Sequence, residues 1–167
     1  SMGGVVIQEY YYTYPNEVYA LILCSTGGKM RVSSSIFNSI KPNYSEYLNF
    51  LRFNAFYRNT PEEIIDNSIF EVSHIDPEVT YNDFKICDSF DTLDKTSSIE
   101  VPCLIICGKA DKMTPVKYSQ FFHDKIKNSE LKIVDKAGHN VMLEKPKQTN
   151  SAIEKFINNY LKKNKYL

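Results

Sequence analysis

Charge of one sign, long apolar runs and paired cysteines are all scarce in this chain of 167 residues, and each scarcity removes a class of function. The 20 Lys and Arg are balanced by 20 Asp and Glu. A chain so balanced carries no electrostatic footprint for nucleic acid or anionic lipid, so neither is an expected partner. Its longest apolar runs, residues 18–24 and 101–107, fall far short of the ~20 residues that cross a bilayer. No membrane span is expected. The cysteines are Cys24, Cys87, Cys103 and Cys107, three of them inside apolar β-type runs where a reduced thiol behaves as a small hydrophobe. Cys103 and Cys107 lack a second pair, so no zinc, and no other metal or cofactor, is expected. Reduced cysteines point to a cytoplasmic location. No signal peptide, internal repeat or low-complexity tract is visible.

What is present reads as one soluble domain, with 43% apolar and 24% charged residues. After Ser1-Met2-Gly3-Gly4 the spacing predicts a helix that Pro15 stops. Residues 18–24 are continuously apolar and close on Ser25-Thr26-Gly27-Gly28, the signature of a strand covered on both faces in a parallel sheet. From 29 to 98 the apolar residues recur at helical spacing and predict three or four short helices. Thr60-Pro61-Glu62 supplies an N-cap hydroxyl with Pro at the first position, and Asp76-Pro77-Glu78 opens another helix in the same way. The buried-strand pattern returns at 101–108, followed by a helix over 115–126 and a short strand over 131–134. An amphipathic helix over 148–162 places Ile153, Phe156, Ile157 and Tyr160 on one face. Lys162-Lys163-Asn164-Lys165 reads as its solvated end. Strands alternating with helices imply an α/β fold of about three parallel strands, with residues 1–28 and 99–167 as its core and 29–98 as a helical insertion.

Three spots stand at the C-terminal end of a predicted strand or at a turn into a helix, the edge where parallel sheets bind ligands. They are Ser1-Met2-Gly3-Gly4, Gly108-Lys109-Ala110-Asp111 and Ala137-Gly138-His139-Asn140. Together they resemble the α/β-hydrolase superfamily, over residues 1 to about 161. Ser1-Met2-Gly3 is similar to the second half of a G-x-S-x-G nucleophile elbow. Gly108-x-x-Asp111-x-x-x-Pro115 resembles the loop that carries the family's acid. Gly138-His139 with Glu144-Lys145-Pro146 resembles the loop that carries its histidine. Phe90-Asp91, with Ile99 and Val101-Pro102 after it, matches the return from the lid into the sheet. The order Ser, Asp, His is the family's own.

The resemblance implies a serine hydrolase acting on a small-molecule ester, thioester or lactone through an acyl-enzyme. A serine hydroxyl needs a base to take its proton, which gives that role to His139 and the orienting role to Asp111. The backbone N–H of Met2, directly after the serine, would be one oxyanion-hole donor. The lid would shape an apolar pocket through Phe37, Tyr44, Phe50, Phe53, Phe56 and Tyr57. Gly3 and Gly4 would let the first helix pack closely. No acid follows the first strand, so Asp111 is the better triad acid. His74 and His123 have no acid or nucleophile at a meaningful spacing and read as structural or solvent-facing. Tyr10-Tyr11-Tyr12 reads as helix packing.

The departures are as informative. The family's strands before the elbow, and the loop that gives its second oxyanion N–H, have no counterpart here, so the chain resembles the C-terminal half of a hydrolase with its lid. Ser1-Met2 reads alternatively as a tag-cleavage residue before a start methionine. The alternative function is then a catalytically silent remnant acting as a binding or oligomerisation module. Without its family partner strand, the edge at 18–24 is open, and a homo-oligomer is expected through it.

Overall fold

The strands β1 (Leu21–Cys24), β2 (Cys103–Gly108) and β3 (Ser129–Val134) form one parallel sheet in the order β1-β2-β3. This is a computed structural model that describes residues 1–164, with side chains as far as residue 160. β1 starts later than the apolar run 18–24 suggests, and its partner explains why. Leu21 lies opposite Cys103, so a longer β1 would need Pro102 to donate an N–H it does not have. The Leu21 N–H instead donates to the Pro102 carbonyl at 2.9 Å.

Alternation along β2 divides the core. Cys103 and Ile105 join Leu21, Leu23, Tyr11, Phe122 and Ile126 on one face, beneath α1 (Met2–Thr13) and α6 (Val116–Lys125). Leu104 and Ile106 join Val134, Ala137, Val141 and Phe156 on the other, beneath α7 (Val141–Glu144) and α8 (Pro146–Asn164). Every residue of β2 is buried. Each fully buried Leu or Ile contributes about 1.5–3 kcal/mol, which makes β2 the axis of the molecule.

Several local expectations change on packing. Tyr11 is buried and bonded at its hydroxyl to the Ser98 carbonyl and the Glu100 N–H, whereas Tyr10 is exposed. A Cβ on Gly4 would meet Thr26 Cγ2 at 2.4 Å, so that glycine does permit close packing. A Cβ on Gly3 would meet nothing within 4 Å, so the same expectation fails there. On α8, Phe156 is buried but Ile157, one residue and ~100° further round the helix, is exposed. The expected solvated end at 162–165 concerns side chains outside the described residues.

Between β1 and β2 run α2 (Ser34–Ile40), α3 (Tyr44–Asn54), α4 (Glu62–Ser73) and α5 (Pro77–Ser89). They share their own apolar core of Ile36, Ile40, Tyr47, Leu51, Phe56 and Ile65. Asp76 caps α5 as predicted, accepting the Glu78 N–H at 2.8 Å. Thr60 does not cap α4. Its hydroxyl donates to the Glu144 carboxylate at 2.5 Å, which turns it away from the helix, and Pro61 takes the cap position.

Candidate active site

β2 and β3 are neighbours in the sheet, so the loops at their C-terminal ends are neighbours too. The Lys109 N–H donates to the Val134 carbonyl and the Ala110 N–H to the Ala137 carbonyl, both at 2.9 Å. The approach is so close that a Cβ on Gly108 would sit 2.1 Å from the Gly138 carbonyl oxygen, a contact only glycine avoids. Asp111 and His139 stand on these two loops, and the structure brings them together. His139 Nδ1 lies 2.9 Å from Asp111 Oδ2. The Asp111 side chain has no exposed surface and that of His139 is only 9% exposed.

The surroundings of Asp111 fix its charge and the tautomer of His139. Oδ1 accepts the backbone N–H groups of Met113 (2.9 Å) and Thr114 (2.8 Å), and Oδ2 accepts the Thr114 hydroxyl at 2.8 Å. Burial opposes ionisation of this carboxyl. The hydrogen bond and charge of His139, together with the Thr114 donors, outweigh it and hold the carboxyl below its ordinary range. An ionised carboxylate only accepts, so the Nδ1 facing it carries a proton, and the neutral form of the ring is the tautomer with its lone pair on Nε2. That is the arrangement a general base requires.

A second buried carboxylate braces the histidine loop. Glu144 Oε1 accepts the Gly138 N–H at 2.7 Å, while Oε2 accepts the Tyr57 N–H at 2.7 Å and the Thr60 hydroxyl. The Ala55 carbonyl accepts the N–H groups of both His139 (2.9 Å) and Asn140 (3.2 Å). The segment after α3 is thus tied directly to the loop holding His139. Sequence reasoning did not single out Thr114, and it named Glu144, Thr60 and Tyr57 in other roles, never as a brace. Thr114 had a signal, since an Asp in a turn after a strand commonly accepts the backbone N–H groups two and three residues on. The Tyr57–Glu144 bond joins residues 87 apart and had none.

Ser1 precedes α1 beside the end of β1, where its backbone nitrogen donates to the Cys24 carbonyl at 3.1 Å. Ser1, Met2 and His139 line one cavity of about 270 Å³ with Leu51, Phe56 and Met113. Ser1 also lines a second cavity of about 260 Å³. Of the six aromatic residues expected to shape the pocket, Phe56 lines the first and Phe50 the second. Phe53 is 70% exposed, because a residue two places from the inward-facing Leu51 lies on the opposite side of α3. Phe37 stacks edge-on against Tyr81, and the Tyr44 hydroxyl is bonded to Thr80 and to the Val72 carbonyl. His74 and His123 are exposed, bonded to Phe70 and Ser129 respectively.

Among the described residues no group of three or more His, Cys, Asp or Glu could hold a metal, and no helix is long and apolar enough to cross a membrane. All four cysteines are free, and burial pushes the Cys103 thiol up to about 12.

A parallel sheet that presents an Asp–His pair on adjacent loops at its C-terminal edge defines a chain of the α/β-hydrolase superfamily. Residues 1–146 match the model of the serine aminopeptidase S33 family, and the chain belongs to that family. It is 24% identical over 183 residues to the mouse (Mus musculus) monoacylglycerol lipase ABHD6, an alignment that covers 94% of this chain and 53% of the lipase. A solved thermophilic esterase superposes with a TM-score of 0.86 at 35% identity, covering 94% of this chain and 63% of the esterase. The esterase EaEST from Exiguobacterium antarcticum superposes with a TM-score of 0.87 at 19% identity, over 95% of this chain and 64% of its own, a likeness of fold. The chain thus spans about half to two thirds of the length of these relatives.

Proposed function

We propose that the chain carries the nucleophile, base and acid of a serine ester hydrolase in Ser1, His139 and Asp111. The observation that carries this reading is the shared cavity: Ser1 and His139 line it together, while Asp111 occupies the far side of the imidazole. In the reaction, Nε2 takes the Ser1 proton as the hydroxyl oxygen attacks the ester carbonyl. The Asp111 carboxylate stabilises the imidazolium that forms, which then gives the proton to the departing alkoxide. Met2 is the first residue of α1, where a helix leaves the N–H without an intrahelical partner, and that N–H receives the developing oxyanion. Water then deacylates Ser1 by the same relay. The helices α2–α5, within the segment 29–98, serve as the lid.

The relatives named as esterases and as a monoacylglycerol lipase support an ester substrate. The second oxyanion donor of such enzymes comes from a loop ahead of the nucleophile. The chain alone should therefore be far slower than a complete esterase. The test is 4-nitrophenyl butyrate hydrolysis by the purified chain, by Ser1→Ala and by His139→Ala. Slow release that falls to the uncatalysed rate in both variants supports the reading. A rate unchanged in either variant overturns it, and no release at all favours the silent binding module.

One observation favours assembly as well. The outer edge of β1 pairs with no other strand among the described residues, and Leu21-Ile22-Leu23-Cys24 offers no charge to guard it. We infer a homo-oligomer joined through this edge, in the reducing cytoplasm that four free thiols suit. Light scattering that gives a stable monomer of 19.3 kDa at micromolar concentration would defeat it.

A further inference from the structure

The two cavities that meet at Ser1 differ in charge. Both are mostly apolar, and the one acidic residue that lines the first, on the His139 side, is Asp83. The second is lined by two cations, Arg31 and Lys112, and by no acid; Ser33, Asn54 and Tyr118 add neutral polar groups beside them. The cations come from separate parts of the fold, Arg31 from the segment after β1 and Lys112 from the loop that carries Asp111. Lys112 is held at the rim by a hydrogen bond from Nζ to the Phe53 carbonyl, 3.3 Å, which neutralises none of its charge. The acids on this side lie outside the cavity lining: Asp91 pairs with Lys29 and also feels the charge of Arg31, and Asp88 accepts the Val32 N–H at 2.9 Å.

We propose that the second cavity seats an anionic group, so that the preferred substrate is an ester with an apolar chain on one side of the reacting carbonyl and a carboxylate on the other. The inference rests on the hydrolase reading for the bond that is cleaved, but not for the binding itself. With the carbonyl carbon at Ser1, an apolar arm enters the Phe56–Leu51 cavity, away from the cations. The other arm reaches Arg31 and Lys112, whose donors suit a carboxylate through a bidentate guanidinium and a point-charge ammonium. Reversing the arms would set a carboxylate near Asp83 and leave both cations facing hydrocarbon. Arg31 and Lys112 are therefore specificity-determining residues. They act on binding and leave the proton relay untouched.

The test uses a stable pair of probes, N-hexanoyl-β-alanine and its uncharged twin N-hexanoyl-β-alaninamide, whose amide resists an esterase. Calorimetric titration of the full chain should show the carboxylate binding about tenfold tighter at low salt, an advantage that shrinks as salt screens it. Arg31→Ala combined with Lys112→Ala should erase that advantage while leaving affinity for the uncharged probe unchanged. Equal affinity for the two probes, no binding of either at millimolar concentration, or an advantage that survives the double substitution would overturn the proposal. Failure of the hydrolase reading is seen separately. A charge preference without 4-nitrophenyl butyrate turnover removes the enzyme and keeps the anion seat, whereas turnover without preference does the reverse.

Discussion

Asp111 and His139 are locked by short directional bonds on adjacent loops, whereas Ser1 joins β1 through one backbone bond to Cys24. The edges of the sheet show the same contrast. β3 exposes Glu130 and Lys132, charges that discourage pairing with another chain, while β1 ends the sheet with four uncharged residues. The Asp111–His139 pair is built into the β2–β3 edge. The proposed nucleophile, Ser1, hangs from the end of β1. Substitutions can test whether that division is real.

The largest effect should come from Gly108→Ala. The added Cβ would press on the backbone of Gly138 and Ala137, which cannot move without opening both loops. A loss of about 4 kcal/mol in chemical unfolding is expected. Glu144→Ala should follow at about 3 kcal/mol, because it leaves the Gly138 and Tyr57 N–H groups and the Thr60 hydroxyl without their acceptor. If either substitution unfolds α2–α5 while the Asp–His pair survives, the brace is not what holds the histidine loop.

Asp111→Asn sharpens the comparison at about 2 kcal/mol, since an amide N–H₂ facing Nδ1 forces the other tautomer on His139. It also has a pH signature. The folded carboxyl lies below the unfolded value of ~3.9, so its contribution is complete above about pH 4 and fades as pH falls through the folded value. Acid unfolding should lose part of its slope in Asp111→Asn. An unaltered profile would mean that this carboxylate is not held by His139. The smallest effect belongs to Gly3→Ala, which replaces a helical glycine where the Cβ meets nothing and should stabilise by about 0.5 kcal/mol. Destabilisation there would show that the face beside Ser1 is covered after all.

The sequence made the strand-and-helix order legible, because apolar runs and Pro, Asp and Gly punctuation are local signals. The Asp111 and His139 loops were legible through motif resemblance, and their contact follows from the adjacency of β2 and β3. What was hidden depends on pairing across the chain. The late start of β1 is set by Pro102, directly ahead of β2. The diversion of Thr60 is set by Glu144, 84 residues away. The lining of the cavity is set by which side of α3 faces inward, which buries Tyr47 and Leu51 and exposes Phe53.

The central claim is that the Asp111–His139 pair forms on its own, ready for a nucleophile. Proton NMR of the ¹⁵N-histidine-labelled chain tests it most directly. A downfield Hδ1 resonance of His139 should be present in the native chain, persist in Ser1→Ala and vanish in Asp111→Asn. Its absence from the native chain, or its survival in Asp111→Asn, would contradict the account.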